Sequence, residues 1–207
     1  LGSVSIRVFA SAHETLQTGP AGEHRYLGFT VAASGLQFYH SGDSVVYDGL
    51  VQQLLAHSID VALLPINGRT PTLTSHGILG NMTFKEAVGL CAAARIPLII
   101  PHHFGMFAFN TCSPPSVEEQ VASLNIGVRC IIPQVDVWYR FAKAPNPPSG
   151  VAAARTPQIY PKQMVSWGAP PAGQTGVQDF SPGLIVADSA NSRALFTRPP
   201  SRSTGIA

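Results

Sequence analysis

Three polar residues of this 207-residue chain stand where apolar runs stop: His13 after VFASA, Asp43 after LQFYHSG and His103 after LIIPH. In an α/β sheet the strand ends on one edge converge, and ligands bind in the crevice they make. Two imidazoles and a carboxylate that meet there are donors of the type that holds zinc or manganese. Spacing alone leaves the meeting open. A histidine near a strand end is also a common hydrogen-bonded residue, and Asp43, inside SGDS, is equally suited to satisfying the N–H groups of a turn.

Other polar residues sit at comparable places. Asn67 and Arg69, in PINGR, follow an apolar run, and an arginine there suits bidentate binding of a phosphate or carboxylate or a local ion pair. Asn110 and Thr111 follow FGMFAF and suit either a pocket wall or a cap for the next segment. His40, in FYHSGD, is either a support for Asp43 or a strand-end side chain.

The elements that must position these residues are legible from pattern. Residues 4–10, VSIRVFA, read as a strand running into a polar tip, and 15–25 as a loop rich in Gly, Thr, Pro and charge. RYLGFTVAA and LQFYH form two strands joined by a tight turn at Ser34 and Gly35. YDGLVQQLLAH places Leu50, Val51, Leu54 and Leu55 at helical spacing. IDVALLPI is an apolar run of strand length, suited to burial on both faces. Residues 67–81 read as a loop. NMTFKEAVGLCAAARIP predicts a helix capped by Asn81 or Thr83, with Glu86 completing a capping box on Thr83 and Pro97 lying beyond its end. LIIP follows as a buried strand. SVEEQVASLN predicts a short helix with Ser116 as cap and Glu119 three residues on, and CIIPQVDVWYRF a last strand. Strands and helices alternate, so the fold class is α/β (α+β).

From about Ala144 the composition turns to Pro, Ser, Gly and Ala with short apolar runs such as LIVA. Such a segment buries little surface against its ordering entropy, so residues 144–207 are expected to be a disordered or loosely packed tail, and residues 1–143 the folded domain. Thirteen Lys and Arg against eleven Asp and Glu give a net charge of +2, scattered along the chain, with no footprint for nucleic acid. No run approaches the about 18 apolar residues of a membrane span. Three cysteines without a CxxC spacing point to a reducing compartment, hence a cytoplasmic protein. The chain opens on Leu1 and enters a strand almost at once, which suggests a piece of a longer protein.

Four stretches, FYHSGDSVVYDGL, IDVALLPINGR, GNMTFKEAVGL and LIIPHHFGMFAFNT, occur in an order that resembles the second half of metallo-β-lactamase-fold hydrolases. The branch they are most similar to is that of the L-ascorbate-6-phosphate lactonases, and the resemblance covers residues 4 to 140. It implies part of a four-layer αββα sandwich with two divalent metal ions at the sheet edge, bound through five motifs. His13 then looks like the histidine of the third motif, and Asp43 like the metal-bridging, catalytic aspartate of the fourth. His103 looks like the histidine of the fifth, with His102 at its variable position as a pocket or supporting side chain. Asn67, Arg69, His102 and Asn110 are the candidate substrate contacts. The implied chemistry is hydrolysis of a small-molecule substrate, such as a lactone or a phosphorylated sugar acid, by a metal-activated water.

The first two motifs of that family, His-x-His-x-Asp-His, are missing. The seven histidines are 13, 24, 40, 57, 76, 102 and 103, and no two are separated by a single residue. The chain is thus expected to carry half of a binuclear zinc or manganese site and to bind metal weakly, if at all, by itself. It is also expected to expose the sheet face that the other half would cover, with homo-oligomerisation as one outcome. Two alternatives stand beside the lactonase reading. One is a non-catalytic remnant or pseudo-enzyme, and the other a phosphodiesterase or N-acyl phospholipid hydrolase of the same fold.

Overall fold

Apolar alternation and turn chemistry start the chain as the sequence predicts. In this computed structural model, which describes residues 4–112, 114–123, 127–134, 137–143, 158–163, 184–188 and 193–195, the first strand is β1 (Ser5–Ala10), followed by the short β2 (Ala12–His13) and β3 (Thr15–Leu16). β4 (Leu27–Ala33) and β5 (Leu36–His40) are joined at Ser34 and Gly35, whose φ values of 51° and 77° are those of a tight hairpin turn. Then come α1 (Leu50–His57), β6 (Val61–Pro65), the short α2 (Pro71–Ser75) inside the stretch read as a loop, α3 (Phe84–Ala93) and β7 (Leu98–His102). The chain continues with α4 (Pro114–Ser123), β8 (Arg129–Cys130), β9 (Val137–Ala142), β10 (Gln158–Gln163), β11 (Leu184–Asp188) and β12 (Arg193–Leu195).

Six strands form the central sheet in the order β1-β4-β5-β6-β7-β8. β1, β4 and β5 pair antiparallel, whereas β5, β6, β7 and β8 run parallel. All five residues of β6 and of β7 are buried, as strands covered on both faces must be. One face packs on helices: Phe9, Tyr39, Ala62, Leu64 and Ile99 meet Leu50 and Leu54 of α1, Phe84, Val88 and Cys91 of α3, and Val117 of α4. The other face packs on a second sheet, of order β10-β9-β11-β12. There Tyr139 and Phe141 of β9 lie against Val31, Phe38, Leu63 and Ile100, and the Phe141 ring meets Phe38 edge-on at 5.7 Å. Helix layer, sheet and second sheet make three successive layers of an αββα sandwich.

Two expectations need correction. CIIPQVDVWYRF is two strands in different sheets, because Pro133 lies where a ladder donor would be needed and the chain leaves β8 to cross to the other layer. α4 begins at Pro114, so Ser116 lies inside the helix and is not its cap; proline suits the first helical turn, where N–H groups have no intrahelical partner. Within 144–207, the stretch expected to be a disordered or loosely packed tail, the three described segments are strands, paired to β9 or to each other. Short apolar runs such as LIVA suffice as strands once β9 offers a ladder. The rest of that stretch lies outside the described residues.

The expected exposed sheet face is present only in part. β9 covers it over β5 to β7, while Val4, Ile6, Val8, Leu27 and Phe29, on or beside β1 and β4, remain 39–60% exposed. Among the described residues no helix is long and apolar enough to cross a membrane.

α3 starts as predicted. The Thr83 hydroxyl accepts from the Glu86 N–H, and Glu86 Oε2 accepts from the Thr83 N–H at 2.8 Å. Glu86 also takes both guanidinium nitrogens of Arg69, at 2.8 and 2.7 Å. The Arg69 fork holds the Glu86 carboxyl down at about 2, from an ordinary 4.5. A depressed carboxylate contributes stability that is complete above its unfolded value and is lost as pH falls through its folded value. Glu86→Gln is therefore expected to flatten the fall in stability between pH 4.5 and 2 seen in urea denaturation. At neutral pH it should cost about 1 kcal/mol, because solvent screens this half-exposed pair.

Candidate active site at the carboxyl edge of the parallel strands

Parallel pairing fixes which residues can meet. The register sets His40 beside Leu63 and Pro65 beside His102, so the segments after β5, β6 and β7 leave the sheet along one edge. Those segments carry Asp43, Asn67 and His103. The Asp43 loop is clamped to the chain that carries His13: the Ser11 hydroxyl donates to the Ser41 carbonyl, the Ala12 N–H to Ser44 Oγ at 3.0 Å, and the Val45 N–H to the Ala12 carbonyl at 2.7 Å. Ser11, Ser41 and Ser44 are all buried. Gly42 takes a left-handed φ of 63°, and a Cβ there would stand 2.5 Å from the Leu27 carbonyl oxygen. Its N–H donates to Nδ1 of His40 at 3.0 Å, so the His40 ring supports the turn that presents Asp43.

Asp43 Oδ2 lies 3.3 Å from Nε2 of His103. His103 itself has a φ of 58°, a conformation that costs a residue with a Cβ on the order of 1 kcal/mol or more and persists where surrounding contacts impose it. Burial pushes the Asp43 carboxyl up, but the hydrogen bond and charge of His103 outweigh it and leave the group below its usual range. The hydrogen bond to Asp43 raises His103 against the effect of burial. Each partner thus favours the charged form of the other.

The other histidines play different parts. His13 sits edge-on to Tyr26, with ring centroids 5.3 Å apart, near enough to Asp43 to bear on its carboxyl. His102 is buried and stacks on His40 at 4.6 Å, and neither of its ring nitrogens has a hydrogen-bond partner. Burial, reinforced by His40, drives His102 well below the ordinary histidine value. It is a neutral ring packed under the site.

The polar residues around the pair divide in two. Asn67 donates to Asn110 Oδ1 at 3.0 Å and accepts from Asn81 Nδ2 at 3.0 Å, a chain of amides that ties together the loops after β6 and β7. Asn110 is therefore a loop bridge, not a helix cap, and Thr111 accepts from the Gly105 N–H within its own loop. Arg69 has its fork filled by Glu86 and also donates to the Asn81 carbonyl, so the local ion pair is the alternative realised. Two participants were not visible from spacing. Asn81 is taken by the amide chain instead of capping α3, and Glu14, at a φ of 64°, accepts from Thr74 Oγ1 at 2.7 Å and the Gly80 N–H at 2.9 Å, fixing the loop beside His13. A polar residue directly after His13 was the available signal.

Imidazole and carboxylate are the right donors for a divalent metal, but among the described residues no three His, Cys, Asp or Glu side chains come together as a group that could hold one. The described residues supply a touching pair, with His13 nearby, and do not by themselves fit a metal.

Comparison with known proteins defines the class. Residues 1–104, half of the chain, match the Beta-lactamase superfamily domain, and the chain belongs to that family; the matched segment contains His13, Asp43 and His103. Among curated relatives, a metal-dependent hydrolase of Alkaliphilus metalliredigens is 33% identical over 104 residues, 49% of this chain and 40% of the relative. A metal-dependent hydrolase of Opitutus terrae is 36% identical over 91 residues, 44% of this chain and 33% of the relative. The chain thus spans two fifths or less of the length of these relatives. Among solved structures, isothiocyanate hydrolase from Delia radicum gut bacteria superposes with a TM-score of 0.50 at 12% identity, covering 63% of this chain and 52% of the other. A "possible metal-dependent hydrolase" from Veillonella parvula gives 0.50 at 18% identity, covering 65% and 53%. These two likenesses show the fold.

Gly42→Ala is expected to lower stability by about 2 kcal/mol or more, since the backbone is left-handed and the new methyl meets a carbonyl. Chemical denaturation measures this. A loss below about 0.5 kcal/mol would mean that the Asp43 turn is not held as described.

Proposed function

We propose that this chain is part of a metal-dependent hydrolase acting on an ester or lactone bond, to which it contributes His13, Asp43 and His103 as metal ligands. The single observation that carries the reading is the contact between Asp43 and His103, brought from different strands to the edge where α/β sheets place their ligands. Family membership and the printed activity of the relatives support it. A bound divalent ion would supply an acidified water and polarise the scissile carbonyl. The chain's own residues present the donors: the Gly42 turn orients Asp43, the His103 backbone aims its Nε2, and the stacked His102 and His40 rings pack beside them. The remaining donors belong to a His-x-His-x-Asp-His segment that this sequence does not contain.

Within the family, the resemblance of PINGR, GNMTFKEA and LIIPHHFGMFAFNT supports the lactonase branch over the phosphodiesterase and phospholipid hydrolases. A non-catalytic relative is the second reading, favoured by the lack of a three-ligand group among the described residues.

Manganese and zinc binding by isothermal titration calorimetry, with hydrolysis of γ-butyrolactone, tests these readings on the chain alone and fused to the His-x-His-x-Asp-His half of a relative. Weak binding by the chain, turnover only by the fusion, and a drop of more than about tenfold in metal affinity with His103→Ala are expected. A folded fusion that binds metal no better than the chain, and is indifferent to His103→Ala, establishes the non-catalytic reading instead.

A further inference from the structure

Two rings stand between the loop that carries Asp43 and the loop that carries His103. His40 ends β5 and His102 ends β7, and β6 lies between those strands. Strands two apart in a sheet are separated by about 10 Å, yet the ring centroids are 4.6 Å apart with planes at 27°. Both side chains therefore lean over the end of β6 to meet. The backbone beneath them is pinned to β6 from both sides: the Ser41 N–H donates to the Leu63 carbonyl at 3.3 Å, and the Ile66 N–H to the His102 carbonyl at 3.1 Å. His40 passes this brace on to its own loop. Its Nδ1 accepts from the Gly42 N–H at 3.0 Å, and a backbone N–H only donates, so Nδ1 carries no proton. Burial holds the ring below the ordinary histidine value, and the proton of the neutral imidazole then sits on Nε2. His102 makes no such bond. With neither ring nitrogen partnered, it contributes its ring face.

We infer that His40 is a positioning residue: stacked over β6 on His102, it offers Nδ1 as a fixed acceptor that sets the Gly42 turn and thereby holds the Asp43 carboxylate against His103. The purpose of that contact rests on the hydrolase reading above; how it is held rests on the geometry alone. A glycine has many backbone conformations open to it, so the left-handed Gly42, at a φ of 63°, needs a partner that selects one. Ser11 and Ser44 tie the Asp43 loop to the segment that carries His13. The ring stack ties the same loop to β7, the strand that delivers His103. One short loop is thus referenced to the two segments that carry the other candidate residues.

The test reads the chain itself, without metal. Ring-nitrogen NMR is expected to show His40 with Nδ1 unprotonated and Nε2 protonated. Variants then separate the acceptor from the stack. His40→Asn keeps an acceptor oxygen close to the Nδ1 position on a shorter side chain, His40→Phe keeps a ring without an acceptor, and His102→Phe keeps the stack without the unpartnered nitrogens. Hydrogen exchange of the Gly42 amide is expected to quicken about tenfold in His40→Phe, the worth of one hydrogen bond, and to stay near wild type in His40→Asn and His102→Phe. Crystal structures are expected to keep Asp43 in contact with His103 in those two variants and to show it turned away in His40→Phe. Amides of β6 and β7 serve as the reference and exchange as in wild type. A protonated Nδ1 on His40, or a His40→Phe chain with the Gly42 amide and the Asp43–His103 contact unchanged, overturns the inference. So does a His40→Asn chain that loses the contact while the reference amides hold, because the ring is then filling and not an acceptor. If His40→Phe does not fold, the wild-type ring nitrogens and the rescue by His40→Asn decide. No readout here uses metal or turnover, so an inactive fusion rejects the hydrolase reading and leaves this inference standing.

Discussion

The parallel register of β5, β6 and β7 is the constraint on which the rest depends. Strands that run side by side in one direction deliver their carboxyl ends to one edge, and each end here releases a short segment with a polar residue. The touching pair, Asp43 and His103, needs more than that alignment. Gly42 must turn left-handed under the Leu27 carbonyl, and His103 must accept a backbone conformation that a Cβ disfavours. Both are local costs borne by the surrounding packing, and both aim side chains at the same point.

The two faces of the sheet explain why that edge is firm. Helices α1, α3 and α4 bury one face and β9 the other, so β6 and β7 are fully enclosed. Stacking His102 on His40 continues the inter-sheet layer to the rim, where burial keeps both rings on the neutral side. Arg69 belongs to this scaffolding. By joining the Glu86 capping box to the Asn81 carbonyl, it ties the start of α3 to the loop after β6, and the Asn67 amide carries the link on to Asn110. The loops around the site are fastened to one another more than to solvent.

Local chemistry was legible. The Thr83–Glu86 box, the Ser34–Gly35 turn and the apolar runs of β6 and β7 are each decided within a few residues, and the structure shows them as the pattern indicates. Arg69 was not decidable, because a guanidinium serves a carboxylate of its own chain or an incoming anion equally well, and only the fold brings Glu86 within reach. Asn81 and Thr83 competed for one cap; the capping box favoured Thr83, and the fold gave Asn81 to Asn67. The division of CIIPQVDVWYRF between two sheets has no local signature beyond a proline, and the pairing of 158–163 and 184–188 with β9 joins segments far apart in the chain.

The sequence by itself determined most element types up to β7, the strand-end positions of His13, Asp43 and His103, and the resemblance that pointed to the family, since periodicity, caps and short motifs are properties of neighbouring residues. Tertiary structure alone decided which of those positions touch: Asp43 with His103, His13 set against Tyr26, His102 beneath His40 and Arg69 spent on Glu86. Contacts between residues far apart in the chain follow from strand register and layer packing, and these are settled by burial of the whole core and not by any single segment.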